Sequence, residues 1–270
     1  MIDISCGPTI ESDLAATAFG DQPARWPLPS ARTPRQLWLR AVGAGGQGRY
    51  GSARDDLARL LRGAPADVLA SLAHSTQASF LRQLGWHRLA GGRDGRALAL
   101  AGADPEAAAD ALIGLAADAL GLGRLAASAT LLSRAEPLVA DAQQHRLSVR
   151  RAWVAAELAM AAGDGAAAVR NAELGVELAA TTLDGSRHAA KSDVVLAAAL
   201  CSAGAVDRAR ILGEATLELT GRLGLVPLRW AVACLLVDIG SPARPISDLC
   251  VIRDECARQV QHWGGAWNQR

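Results

Sequence analysis

Lysine is almost missing from this chain: Lys191 stands alone, and every other permanently cationic side chain is arginine. A compositional bias of the genome accounts for that without any selection for guanidinium chemistry. Aromatic residues are scarce as well, at 4% of 270 residues, with one tyrosine and two phenylalanines. Strands favour β-branched and aromatic side chains, and no stretch shows a convincing apolar–polar alternation, so a sheet is not expected. A net charge of +1 excludes a global pull toward nucleic acid or an acidic membrane. No apolar run reaches the ~20 residues that a spanning helix needs. The opening "MIDISCGPTIESDL" lacks a basic stretch followed by an apolar core, which argues against a secretory signal. Five cysteines (Cys6, Cys201, Cys234, Cys250, Cys256) show no paired close spacing, and a reduced cytoplasmic chain is the expectation.

Alanine and leucine dominate instead, and they are strong helix formers. Residues 1–32 carry Pro8, Pro23, Pro27 and Pro29 and read as a partly extended N-terminal arm with a short helix around Ile10–Phe19. Thr33-Pro34-Arg35-Gln36 is a helix start: a threonine cap, a proline in the first helical position, a glutamine reaching back. Asp104-Pro105-Glu106 is another. Beyond residue 33 helical periodicity is punctuated by Gly48, Gly92, Gly123, Gly163, Gly204 and Gly240. A helix, a glycine turn and a second helix cannot bury an apolar face alone, so such units stack.

The turns share a grammar. A glycine permits the cramped backbone, a large residue plugs the gap between two helices, and a small residue lets them approach. Gly48, Tyr50 and Ala53 follow it; so do Gly123, Leu125 and Ser128, and Gly204, Val206 and Ala209. Gly163 with Ala168 is a weaker copy. With Leu37, Ala41, Ala44, Leu57, Leu60 and a closing Pro65, the first unit resembles the tetratricopeptide-repeat family, and the resemblance extends over residues 33–240. The spacing departs from the family's 34-residue period, so some helices or turns must be longer. The resemblance implies an all-α, right-handed superhelical stack of about five helix pairs over residues 33–246. Leu249, Ile252, Cys256, Val260 and Trp263 share one face of a final helix, and residues 247–270 would cap the array.

Chemistry is hard to find. His74, His87, His145, His188 and His262 are scattered without metal-ligand spacing, and Cys250 and Cys256 fall on nearly opposite helix faces. "VGAGGQGRYG" and "LAGGRDGRA" lack both the preceding strand and the Gly-Lys-Ser/Thr ending of a nucleotide loop. Asp55, Asp56, Glu157, Glu173 and Glu177 read as solvated helix carboxylates with local arginine partners. No enzyme, cofactor or metal is expected.

The family's first helices line a concave surface that usually binds peptide. In this frame Trp38, Trp86, Trp153 and Trp230 project from first helices, and Arg35, Arg82, Arg150 and Lys191 share the surface, which suits an acidic protein or peptide segment. A shift of one residue turns a side chain by 100°, so the tryptophans serve either the groove or the inter-helix core. The family's asparagine clamp for carboxyl-terminal peptides has no counterpart, since Asn171 and Asn268 are the only asparagines. Two alternatives stand beside this reading. Arg25, Arg32, Arg35 and Arg40, interleaved with Trp26 and Trp38, would let the arm of a transcription-associated regulator touch nucleic acid, against the neutral total charge. Exchange of that arm between two copies would make a homodimer.

Overall fold

The structure is a computed structural model that describes residues 9–63, 67–142, 144–182 and 186–268. Among them there are thirteen α-helices and no strand. The first, α1 (Ile10–Phe19), stands apart. Twelve more fall into antiparallel neighbours: α2 (Pro34–Gly46) with α3 (Tyr50–Gly63), α4 (Val68–Gln83) with α5 (His87–Leu100), α6 (Pro105–Gly121) with α7 (Leu125–Asp141), α8 (His145–Ala161) with α9 (Gly165–Thr182), α10 (Ser186–Ser202) with α11 (Val206–Arg222), and α12 (Val226–Ile239) with α13 (Ile246–His262). Each even-numbered helix also packs on the next even-numbered one, from α2 through α12. The even helices therefore form a continuous row.

Local chemistry explains the helix starts. Thr33 Oγ1 accepts from the Gln36 backbone N–H while the Gln36 side chain accepts from the Thr33 N–H, a reciprocal cap ahead of Pro34. Such a cap is worth about 1 kcal/mol. Asp67 and Asp104 cap α4 and α6 by accepting from the Ala70 and Ala107 backbone N–H, and Pro105 opens α6.

Glycines at positive φ make the turns within pairs: Gly48, Gly85, Gly123, Gly163, Gly204 and Gly240, which are 37, 38, 40, 41 and 36 residues apart. The expected turn at Gly92 is corrected. Gly92 lies inside α5, and the turn of that pair is Gly85, at φ +85°. The grammar then fits a further unit, because Ala90 takes the small position and is fully buried. Ala53, Ser128, Ala168 and Ala209 are also fully buried, and Tyr50 fills its gap with its hydroxyl donating to Gln83 Oε1. Leu125 and Val206 are only half-buried, so they plug less completely. Pro65 and Cys6 lie outside the described residues.

The last helix is a full member of a sixth pair with α12, and Leu249, Cys256 and Val260 form its buried face. The chain beyond it returns to the first two pairs. The Gly51 N–H donates to Trp263 O, Arg54 donates to Gly264 O, Trp86 Nε1 donates to Ala266 O, and Asn268 bonds the backbone oxygens of Leu84 and Gly85. Trp230 and Trp267 pack at 4.4 Å between ring centroids. Arg49 sits between the rings of Trp26 and Trp263, 3.9 Å from each centroid. The row of pairs thus closes back on its own beginning.

Candidate functional site

Four successive even helices bring an ordered set of charges together. Along α6, Glu106, Asp110 and Asp118 recur at multiples of four residues and so share one face, with Gly114 completing the stripe. Along α8, Arg146, Arg150, Trp153 and Glu157 share another. Arg146 donates to Glu106 at 2.7 Å and to Asp110 at 3.1 Å, and Arg150 pairs with Asp110 as well. Lys191 of α10 meets Glu157 at 3.2 Å. Cations and carboxylates therefore alternate from helix to helix across the row.

Arg82 of α4 anchors the other end. Its Nη1 donates to Asp118 at 2.6 Å, to Asp94 of α5 at 2.9 Å and to the Gly114 carbonyl at 3.0 Å. Gly114 makes this approach possible, since a Cβ there would fall 2.2 Å from Asp94 Oδ2. Burial works against the Arg82 charge, but the two carboxylates overcome it and the guanidinium is held above its ordinary pKa. Burial also pushes Asp94 up to about 7 against the pull of Arg82, with the Asp118 charge pushing the same way. Asp118 is raised for the same leading reason.

The tryptophans repeat a second device. Trp38 Nε1 donates to Thr76 Oγ1 of α4 at 3.0 Å, and Trp153 Nε1 donates to Ser192 Oγ of α10 at 2.8 Å. Each indole is thereby tied to a hydroxyl on the next even helix. Trp153 stacks on His188 at 5.6 Å, with the Lys191 ammonium 5.9 Å from its ring centre. His188 is buried and held neutral: burial leads, and Arg187, Arg146 and Arg150 add repulsion, so its pKa lies well below the ordinary 6.5. Arg187 donates to the Val42 carbonyl of α2 at 3.0 Å. Burial, with Arg146 nearby, brings its pKa down to about 10, so it remains charged at neutral pH. No carboxylate pairs with Arg187 among the described residues.

The eight residues singled out from the sequence are thus distributed as follows. Arg82, Arg150, Trp153 and Lys191 belong to this inner face. Trp38 is buried beside it. Arg35 is an exposed partner of Glu11 at 2.9 Å. Trp230 packs on Trp267 at the closure, away from the ion pairs. The placement of Trp86 on a first helix is corrected: it lies in the turn after Gly85 and precedes α5. The solvated-carboxylate reading is also corrected for Asp56, which is buried and takes a 2.7 Å bond from Arg40 Nε. Glu157 pairs with the next even helix rather than locally. Of the arginines proposed for nucleic-acid contact, Arg25 pairs with Asp13, Arg35 with Glu11 and Arg40 with Asp56.

Glu106, Asp94, Asp110, Asp118, Arg146 and Arg187 escaped the sequence reading as members of a common site. A signal for most of them does exist. Arg82–Asp118, Asp110–Arg146, Glu106–Arg146 and Glu157–Lys191 are separated by 36, 36, 40 and 34 residues, and the indole–hydroxyl bonds by 38 and 39. Complementary groups one repeat apart mark contacts between successive even helices.

The chain matches no protein-family model and no curated protein. Among the described residues, no group of three or more His, Cys, Asp or Glu could hold a metal ion, and no helix is long and apolar enough to cross a membrane.

Proposed function

We propose that this chain is a non-catalytic, cytoplasmic interaction module, built as a right-handed superhelix of tetratricopeptide-like pairs, that takes an acidic protein or peptide segment on the face lined by its even helices. One observation carries the reading: Arg187 is charged, half-buried beside Arg146 and, among the described residues, pairs with no carboxylate on a face where the neighbouring cations have theirs. A desolvated cation favours an anionic partner, and a carboxylate supplied from outside would complete the alternation of charge. The half-buried Trp153, stacked on His188, adds apolar and cation–π contact area. The glycine-turned pairs and the row of even helices support the superhelical build.

Site-specific photo-cross-linking tests this. A photoreactive residue in place of Lys191 should form adducts with a partner chain in the native cell, and one in place of the exposed Arg170 on α9 should not. Equal labelling at both positions would sink the proposal.

A further inference from the structure

Once the six pairs are formed, α1 is the helix left over, and it lies on the inner face. It runs parallel to α2, since Glu11 meets Arg35 and Thr17 lies against Gly43. Leu14, Thr17 and Ala18 turn toward α2 and are buried. Phe19, its last residue, reaches past α2 to two other even helices. Its ring centre is 5.6 Å from that of Trp38 and 6.2 Å from that of His188, with the Arg146 and Arg187 guanidiniums at 5.6 and 5.8 Å. A short helix with one buried flank and a terminal aromatic side chain is therefore already seated there.

Little holds it. Ten residues are too few for a helix that persists on its own. Its ion pairs, Glu11–Arg35 and Asp13–Arg25, are partly exposed, and such pairs contribute little. A shallow, open groove lined by Ile10, Glu11, Ser12, Ala15, Arg35 and Leu39 among others runs between its first turns and α2, bridged by the Glu11–Arg35 pair. The connection from Gly20 to Thr33 contains no helix, so a released α1 would stay tethered. Finally, α1 gives Arg187 a ring but no carboxylate.

We propose that α1 is the exchangeable occupant of a helix-binding face: the surface of α2, α8 and α10 accepts from another protein a short amphipathic helix that ends in an aromatic residue and carries a carboxylate for Arg187. This rests on the interaction-module reading above and gives its partner a form. The tethered α1 competes at an effective concentration on the order of millimolar, so only a helix with an added contact displaces it at cellular levels. The Arg187 carboxylate pair is that contact.

The test uses the full chain and, as the probe, a labelled peptide of residues 9–22 with Thr17→Ala, which leaves room for a side chain at position 43. A Cβ at Gly43 would sit 3.5 Å from the Thr17 Cβ, within the ~3.5–4.5 Å span of a disulfide, so Thr17→Cys with Gly43→Cys can bolt α1 in place. Phe19→Ala is added to weaken the resident helix. Fluorescence anisotropy should show the reduced triple variant binding the peptide about tenfold or more tightly than the wild type does, and the oxidised variant binding none. A peptide carrying Phe19→Ala should lose that binding. Equal binding in both redox states, or none in the reduced state, would overturn the proposal. If the cysteine pair prevents folding, Phe19→Ala alone against wild type gives the same comparison, with the same tenfold gain expected and no gain overturning it. Light scattering without peptide covers the rival occupant: a mass that doubles on reduction assigns the face to the α1 of a second copy and overturns the foreign helix. An α1 that cannot exchange would still permit the cross-link at position 191, so the two proposals fail separately.

Discussion

The middle of the array and its closure are held by different chemistry. Between α6 and α8 the core is Ala109, Leu112, Ile113, Ala116, Leu132, Ala135, Leu147 and their like, with no aromatic ring, and buried ion pairs run alongside. Where the last pair meets the first two, Tyr50, Phe80, Trp86, Trp230, Trp263 and Trp267 belong to one cluster. Neighbouring helices in the middle are close in sequence and need only small residues to approach. The closure joins segments some two hundred residues apart, such as Arg54 and Gly264, and so brings together large surfaces at greater loop-closure cost. The scarce aromatic residues are concentrated where the entropy to overcome is greatest.

Removing one charge from the middle should show the largest effect. Arg82→Ala leaves Asp94 and Asp118 buried without their cation, and a loss of about 3–5 kcal/mol is expected in urea unfolding. A loss under 1 kcal/mol would mean that the carboxyls accommodate the change by protonation. The closure should be next. Ending the chain at Gly264 deletes the Trp230–Trp267 contact and the bonds to Ala266 and from Asn268, for a loss of roughly 2–4 kcal/mol. If thermal melting is unchanged by that truncation, the closure is not a source of stability.

Titration reports on the ion-pair face alone, because Asp94 and His188 both lie there. Asp94 has its pKa raised in the folded state, so its contribution is fully present below the ordinary carboxylate value near 3.8 and is lost as pH rises through about 7. His188 is held neutral, so its contribution is lost as pH falls below 6.5. Relative to wild type, Asp94→Asn should gain stability with rising pH from about 4 to 7, by roughly 1 kcal/mol per unit. His188→Gln should lose it with rising pH up to about 6.5, with a similar slope. Two variants with the same sign of slope would contradict these environments. The smallest effect belongs to neither region: Arg35→Ala, at an exposed ion pair, should change stability by less than about 1 kcal/mol.

The sequence carried the local features further than the distant ones. The Thr33–Gln36 cap is spelled by four consecutive residues, three of the six turns stood out as glycine–plug–small phrases, and Gly163 with Ala168 as a copy without the plug. Gly85 was overshadowed by Gly91, Gly92 and Gly95, which sit inside α5 because a helical glycine costs only about 1 kcal/mol and packing offsets it. The inner-face ion pairs depend on which helices become neighbours. The acidic stripe of α6 was visible in principle, but its partners lie one repeat away, and repeats of unequal length hide that register. Trp86 was misplaced for the same reason: without Gly85 as the turn, it falls on the wrong helix.

The return of the sixth pair to the first also has a bearing on how such a chain can change its length. An open stack can gain or lose a unit at its end, because the new terminal surface is simply exposed or recapped. Here Gly48 lies against Pro227 and Val260, and the Gly51 backbone is bonded to Trp263, so the place where a seventh pair would dock is already filled by the first. Duplication or deletion of one internal pair would shift the last pair out of register with that seat. The number of units is therefore set by geometry, and variation in size is confined to the loops.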